Sequence, residues 1–232
     1  MARILLIETS TARLSVALAE NGTVVASRES EEARTHAAQT APFLRSLLDG
    51  AGLGVKDCDA VCVSKGPGSY TGLRVGVSTA KGLCFGAGLP LLSVGTLDAL
   101  VSQASLEGLL PADCRYVVPM IDARRMEVYT ALFRPDGTRL SPVEPRVIDE
   151  GSFAEALGEG PVLFIGDGAE KCRTALTSPN ARFAPCFPRA ASMAPLAEAA
   201  FHEKRFEDIA YFEPFYLKEF IATVSRKNPL EL

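Results

Sequence analysis

Short apolar runs separated by turn residues dominate the start of the chain, and their spacing predicts β-strands. The runs at 3–8 (RILLIE) and 13–19 (RLSVALA) have the length and aliphatic content of strands. Asn21-Gly22 is typical of a two-residue hairpin turn, and Thr23 to Arg28 continue as a third strand. The chain is therefore predicted to open with three antiparallel strands.

Apolar residues then recur at helical spacing, which predicts a helix from about residue 36 to 49. Pro42 is expected to kink that helix or to mark its effective start. The expected apolar face comprises Ala37, Ala41, Leu44 and Leu48. Further strands at 59–63 and 89–94 alternate with helices that end near residues 85 and 105. The order βββ-α-β-α-β-α predicts a mixed sheet with helices on both faces.

The second half of the chain repeats the strand and turn pattern of the first. Residues 117–123 echo 5–9, residues 128–132 echo 15–18, and the turn Asp136-Gly137-Thr138, with a third strand after it, echoes Asn21-Gly22-Thr23. The fold class that follows is α/β, with tandem ribonuclease H-like domains of which the second is reduced.

After these strands the second copy is expected to be short. The predicted elements are a helix at 153–157, a strand at 162–165, a glycine turn and helix at 166–176, a loop-rich stretch at 179–195, and a last helix at about 194–204 that crosses back. We place the first, dimerising domain at 1–106 plus about 196–232, and the second domain at 107–195.

A tandem of such domains, each with a carboxylate at the end of its first strand, resembles the superfamily of actin, hexokinase and acetate kinase. Its members bind a nucleotide in the cleft between the domains. The resemblance implies a degenerate cleft at Glu8, Thr9, Ser10, Asp122 and Arg124. Because the usual Asp is replaced by Glu8 and the first loop has no glycine or Lys for phosphates, we expect ATP or ADP to bind only weakly or through partners.

The stretch KGPGSYTGLRVG, from Lys65 to Gly76, joins a predicted strand to a predicted helix. Gly66-Pro67-Gly68 permits positive φ and close backbone approach in a stiffened turn. Ser69 or Thr71 can cap the helix, whose free N–H groups attract an anion or a polar partner. A plain tight turn explains the same glycines, and the spacing is not that of a Walker loop or a dinucleotide fingerprint.

Small residues recur every four positions along that helix. Each glycine inside a helix costs about 1 kcal/mol relative to alanine, so close backbone contact is expected on this face. We assign the contact to another helix, such as one from a second chain. The predicted partner interface and glycine loop comprise Gly66, Pro67, Gly68, Ser69, Tyr70, Thr71, Gly72, Leu73, Arg74, Gly76 and Ala80. On this interpretation Gly76→Arg abolishes pairing and leaves the monomer folded.

The composition is that of an ordinary globular protein, with 47% hydrophobic and 22% charged residues among 232. The apolar runs are too short for a membrane span and the start is too soon acidic for a signal peptide, so we expect a cytoplasmic protein. The formal charge of -4 argues against a protein that binds nucleic acid by itself. Any RNA is expected to bind mainly through a partner.

Candidate catalytic residues are sparse. His36 and His202 are the 2 histidines and form no H-x-x-x-H pair, so no metal site is predicted. Each is interpreted as a helix-surface residue. The G-x-S-x-G elbow of serine hydrolases is also absent, and Arg124-Arg125 is compatible with a phosphate contact or with a solvated turn.

Four segments together resemble one family, TsaB (YeaZ), a partner protein in bacterial synthesis of threonylcarbamoyladenosine in tRNA. They are Ile7-Glu8-Thr9-Ser10 with Ser15-Val16-Ala17-Leu18, the signature at 66–76, Ile121-Asp122-Ala123-Arg124 with Glu127-Val128-Tyr129, and Glu213-Pro214-Phe215-Tyr216-Leu217. The resemblance covers nearly the whole chain. Glu8 and Tyr70 depart from the family's common Asp and Phe. The catalytic relative TsaD carries a metal-binding H-x-x-x-H motif, where this chain has His36 and Thr40.

The resemblance implies a noncatalytic scaffold subunit. Such a subunit forms a homodimer alone and a heterodimer with TsaD, and it acts with the ATPase TsaE and, through the complex, with tRNA. The alternative is a stand-alone enzyme of the same fold, either a metallopeptidase or a small-molecule kinase. A direct tRNA binder is a third hypothesis, which the negative charge disfavours.

Overall fold

Two five-stranded mixed sheets form the framework of the protein in a computed structural model that describes residues 2–32 and 35–218. The strands of the first sheet are β1 (Arg3–Glu8), β2 (Leu14–Glu20), β3 (Thr23–Ser30), β4 (Ala60–Gly66) and β5 (Leu91–Gly95). Their order is β3-β2-β1-β4-β5, with β1 antiparallel to β2 and parallel to β4. The three opening strands and their hairpin turn are confirmed, with positive φ at Asn21 and Gly22.

The second sheet repeats this topology. Its strands are β6 (Tyr116–Asp122), β7 (Glu127–Thr130), β8 (Glu144–Val147), β9 (Val162–Ile165) and β10 (Ala181–Ala184). Their order, β8-β7-β6-β9-β10, corresponds strand for strand to the first sheet. The central strand is again antiparallel to the next strand and parallel to the fourth. The predicted tandem of ribonuclease H-like sheets is thereby confirmed.

Six α-helices flank the sheets in the described part of the chain. They are α1 (His36–Ala51), α2 (Tyr70–Ala87), α3 (Thr96–Leu106), α4 (Ala154–Glu159), α5 (Ala169–Cys172) and α6 (Ala194–His202), and short 3-10 turns occur at Val55–Asp57 and Ala190–Met193. Helices α1 and α2 cover one face of the first sheet, because their apolar residues share a core with the inward side chains of β1 and β4.

Three expectations for the second half were wrong. The third strand does not follow the Asp136-Gly137 turn directly, since a bridge between Phe133 and Arg139 closes that turn and β8 begins only at Glu144. The loop-rich passage contains β10, which pairs with β9 and stacks Phe183 on Phe164. The helix after the glycine turn is only four residues long. Long-range pairing decided these features over local propensity.

The buried face of α1 also differs from the prediction. It comprises His36, Thr40, Leu44, Leu47 and Leu48, whereas Ala37 and Ala41 are exposed. Alanine fits both a core and a surface, so apolar spacing alone placed the face about one position off. Pro42 lies inside the helix, which begins six residues earlier, so it does not mark the start.

Helix α3 packs against both halves, whereas α6 packs against the first. Ala99 of α3 belongs to the core of the first sheet, whereas Leu100 of the same helix packs with Val117 of the second. Helix α6 returns to the first sheet, where Ala197 shares a core with Ile4 as expected. Because α3 contributes to both cores, the division at residue 106 stays a prediction, and residues 219–232 of the predicted first domain lie outside the described residues.

Among the described helices, we find none with the length and apolarity that crossing a membrane requires.

Candidate functional site

The loop after β4 turns the chain sharply into α2. Gly66 has a φ of 109° and precedes Pro67 through a cis peptide bond. Ser69 is the residue that caps α2, because its Oγ accepts the Gly72 N–H at 3.3 Å. The Ser69 N–H donates to the Ser10 carbonyl at 2.6 Å. Ser69 therefore bonds both the helix that it caps and the loop between β1 and β2.

Three glycines let α2 lie directly on that loop. A Cβ added at Gly68 would lie 2.3 Å from the Ser10 carbonyl oxygen, and one at Gly72 would lie 2.0 Å from the Thr9 carbonyl oxygen. A Cβ at Gly76 would lie 2.2 Å from the Thr9 Oγ1. These distances are far inside van der Waals contact, so only glycine permits the packing.

The close contact that was assigned to a second chain is thus made within this chain, and that assignment was wrong. Gly72, Leu73, Gly76 and Ala80 are buried in the monomer. Helical spacing showed that the stripe meets backbone, but it could not show which backbone. Gly76→Arg is accordingly expected to disrupt folding and not pairing alone.

A different face of α2 points to solvent. Ser78, Gly82 and Gly86 recur every four residues there and are exposed. A Cβ at Gly82 or Gly86 would meet nothing within 4 Å among the described residues. Phe85 on the same side is 85% exposed. Packing within the described monomer explains neither the two helical glycines nor the exposed ring. Of the other residues predicted for a partner interface, Thr71 and Arg74 are exposed and Tyr70 is half-buried.

Glu8 ends β1 with a fully buried side chain. Its Oε1 accepts the Ser10 N–H at 2.6 Å, and its Oε2 has no hydrogen-bond partner among the described residues. Burial raises the pKa of the Glu8 carboxyl, although hydrogen bonds from Ser10 oppose the rise. Thr9 and Ser10 are fully buried too. The three residues predicted to line the first side of a nucleotide cleft therefore lie beneath α2.

His36 is buried, which corrects its interpretation as a surface residue. Its Nε2 lies 3.0 Å from the Thr11 carbonyl oxygen, and the Thr40 hydroxyl donates to the His36 carbonyl at 2.6 Å. His36 thus holds α1 to the first loop, whereas the Thr40 hydroxyl bonds within α1 itself. His202 is exposed and contacts Glu198 at 2.8 Å, as a surface helix residue does.

The end of β6 repeats the glycine contact of the first half. Gly166 has a φ of 107°, and a Cβ there would lie 2.2 Å from the Met120 carbonyl oxygen. Asp122, however, is exposed and forms an ion pair with Lys171. Its Oδ1 also accepts the Arg124 N–H at 3.0 Å. Asp122 and Arg124 therefore lie at the surface, whereas their counterparts in the first half are buried.

A cavity with a volume of about 1350 Å³ lies between the two halves. Lys65, Asp98 and Arg139 are among its lining residues, and the Asp98 and Arg139 side chains are 3.7 Å apart. Burial raises the pKa of Asp98, whereas the Arg139 charge lowers it. None of the five residues predicted for a nucleotide cleft lines this cavity, so that cleft stays a prediction.

Residues 205–218 form a strap that bounds the cavity and crosses α2. The Glu207 N–H donates to the Leu91 carbonyl at 2.8 Å, and the Phe215 N–H donates to the Lys65 carbonyl at 2.7 Å. Lys81 of α2 donates to the Phe212 carbonyl at 3.1 Å. In the sequence, only the motif at 213–217 drew attention to this segment. That motif did not indicate which residues the segment contacts.

No group of three or more His, Cys, Asp or Glu side chains suited to a metal ion occurs within residues 2–32 and 35–218.

Comparisons with known proteins show the family. A family model described as "TsaD: tRNA N6-adenosine threonylcarbamoyltransferase" matches residues 23–226. The chain is 35% identical to the Bacillus subtilis "tRNA threonylcarbamoyladenosine biosynthesis protein TsaB", over 70% of each chain. It is 30% identical to the Escherichia coli protein of the same description, over 95% of this chain and 96% of that one. The chain belongs to the TsaB (YeaZ) family.

A solved structure supports the same family. "YeaZ from Pseudomonas aeruginosa" matches with a TM-score of 0.82 at 28% identity, covering 94% of this chain and 100% of that one. The family identified from the motifs of the sequence is thereby confirmed.

The glycine contact predicts that an added methyl group lowers the stability of the fold at Gly72 but not at an exposed glycine elsewhere. Gly72→Ala should lower the free energy of unfolding by at least about 2 kcal/mol, because its Cβ meets a backbone carbonyl that cannot move away. Gly158→Ala in α4 is the control, since a Cβ there meets nothing within 4 Å. It should be neutral or slightly stabilising. Urea unfolding measures both, and equal effects would contradict the contact.

Because Glu8 is buried, we predict that Glu8→Gln increases the stability of the fold in a pH-dependent way. Because its folded-state pKa is raised, wild-type Glu8 stabilises the fold fully below the unfolded pKa, near 4.5, and loses that contribution as pH rises through the folded pKa. Glu8→Gln keeps the acceptor for Ser10 and cannot ionise. It should match wild type at pH 4 and exceed its stability at pH 8. Urea titrations across this range would refute the prediction if the gain were larger at low pH.

Proposed function

We propose that the protein is a noncatalytic accessory subunit in the synthesis of threonylcarbamoyladenosine in tRNA, and that it pairs with the TsaD subunit and activates it. One structural observation carries the pairing: α2 presents Gly82, Gly86 and Phe85 to solvent without any packing in the described monomer. Helical glycines destabilise a helix by about 1 kcal/mol each, and close approach by a second helix would offset that cost.

The interface that we propose consists of the exposed sides of α1 and α2. Ala37 and Ala41 are exposed on α1, whose neighbour α2 carries Ser78 and Gly82. Small side chains on adjacent helices make a flat surface on which another helix pair can lie closely, and Phe85 supplies an aromatic anchor at its end. A standard interface of about 800 Å² per partner would cover this surface. In isolation the same surface would pair two copies of the chain.

A scaffold role agrees with the chemistry of the buried loop. The Glu8 carboxylate is unavailable to hold magnesium-bound water, since it is covered by α2. His36 contacts a backbone carbonyl of the same loop. We therefore propose that the chain has no catalytic site and no tightly bound cofactor, and that any ATP or ADP binds weakly or through partners. The ATPase TsaE and tRNA would join through the complex, in the cytoplasm.

Gly82→Arg tests the interface. An arginine at this exposed position has room in the monomer and would hold a partner helix away. We expect normal unfolding and loss of both the homodimer and the heterodimer with TsaD on size-exclusion chromatography. The matched control is Gly158→Arg, an exposed helical glycine of the second half with equal room. It should pair like wild type, and normal pairing of Gly82→Arg would rule out this surface.

Reconstitution tests the function itself. This chain is mixed with TsaD and TsaE of the same organism, tRNA, ATP and threonylcarbamoyl-adenylate, and modified adenosine is measured by mass spectrometry while each component is omitted in turn. We expect modification to depend on this chain and none from the chain alone. Full modification without it would contradict the accessory role, and turnover by the chain alone would favour an enzyme.

A further inference from the structure

Tyrosines and positive side chains alternate along a surface that crosses from α2 to the second half of the molecule. At its first end, the Arg74 guanidinium lies 4.3 Å from the centroid of the Tyr70 ring. The Tyr70 and Tyr216 rings are 4.9 Å apart, and the Arg74 Nε donates to the Tyr216 hydroxyl at 3.4 Å. Tyr216 at the end of the strap thus packs against Tyr70 and Arg74 at the start of α2.

The same surface continues into the hairpin between β6 and β7. Lys218, two residues beyond Tyr216, forms an ion pair with Glu127 and lies 5.8 Å from the Tyr129 ring centroid. Burial raises the pKa of Tyr129, and the charges of Lys218 and Arg124 oppose that rise, so the Arg124 guanidinium is also near this ring. Contacts therefore connect Tyr70, Arg74 and Tyr216 at one end of the surface, and Lys218 with Tyr129 at the other.

The arginines at the far end are unusual. Arg124 and Arg125 have φ values of 69° and 51°, in the left-handed region that non-glycine residues seldom adopt. Both side chains are exposed, and neither forms an ion pair with a described residue. The turn thus presents two adjacent guanidinium groups to solvent, beside Tyr129. In ordinary hairpins glycine or asparagine fills such positions without strain.

We propose that this tyrosine–arginine surface, made of Tyr70, Arg74, Tyr129, Tyr216, Lys218 and the pair Arg124-Arg125, binds RNA directly. The positive groups would contact phosphates, and the rings and guanidinium planes would stack on unpaired bases. The four cations of this surface lie beside three carboxylates, Glu127, Glu213 and Asp122, of which Asp122 is already paired with Lys171, in a chain whose formal charge is -4. The partner is therefore anionic, and the interleaved rings favour RNA over an acidic protein.

This inference rests on the proposed function for its RNA, which would be the tRNA of the modification complex. The surface begins at the first turns of α2, whereas the proposed interface lies on the later turns, at Gly82 and Phe85. Arg74 lies one helical turn before Ser78 on the same exposed side of α2, so the RNA surface adjoins the proposed interface. The sequence concealed this arrangement, because its members lie on three segments and the overall charge is negative.

Binding of a labelled tRNA transcript to the heterodimer, followed by fluorescence anisotropy between 50 and 200 mM salt, tests the proposal. The double variant Arg124→Gln, Arg125→Gln should weaken binding and lower the slope of log K against log salt by about 1.4 to 1.8, as expected for two lost phosphate contacts. The control, Arg28→Gln with Arg134→Gln, removes two exposed arginines elsewhere and should leave affinity and slope unchanged.

Stacking has a separate signature. Tyr216→Leu should weaken tRNA binding at least about fivefold with the salt slope unchanged, and Tyr216→Phe, which keeps the ring, should bind like wild type. Equal losses for both variants would instead assign the effect to the hydroxyl contact with Arg74, and would overturn the stacking part of the proposal.

Size-exclusion chromatography of each variant separates this proposal from the function on which it rests. Normal pairing with unchanged tRNA affinity and slope in the arginine variant would overturn the RNA surface and leave the accessory role intact. Normal tRNA binding with lost binding of TsaE would make the surface a protein-docking site and overturn it equally. If wild type fails to pair, the proposed function fails, and the same salt titration on the isolated chain still decides whether the surface binds RNA.

Discussion

The contact between the Thr9-Ser10 loop and the glycines of the β4–α2 segment is the constraint on which the first half depends. Two carbonyl oxygens of this loop lie only 2.3 and 2.0 Å from where the Cβ atoms of Gly68 and Gly72 would be, so helix and loop touch backbone to backbone. This contact fixes α2 on the sheet and covers Glu8. It also fixes the rotation of α2, which turns Gly82 and Phe85 outward.

The second half uses the same device with a different result. Gly166 has nearly the φ of Gly66 and approaches the Met120 carbonyl at the end of β6. Only a four-residue helix follows, however, and Asp122 and Arg124 stay at the surface. A duplicated framework thus gives one end that is covered by a long helix and another that keeps its charges in solvent.

Distant segments connect these two ends. Arg74 and Tyr216 are 142 residues apart in the chain and share a hydrogen bond, and Lys218 and Glu127 are 91 residues apart and form an ion pair. The strap therefore ties α2 to the β6–β7 hairpin across the cavity. Helix α3 also connects the two halves, because Ala99 packs in the core of the first sheet and Leu100 packs in the core of the second.

The sequence by itself determined the order of elements in the first half, the duplication and the family, because strand alternation, hairpin residues and motifs are local patterns. It located the face of α2 that carries Gly72 and Gly76. It did not identify what packs against that face, because periodicity shows only which residues share a side of a helix. Only the tertiary structure decided that Gly72 meets Thr9, that Glu8 and His36 are buried, and that β10 pairs with β9. It also brought the arginines of a distant hairpin beside the strap. Each of these depends on contacts between residues far apart in the chain, which local patterns do not encode.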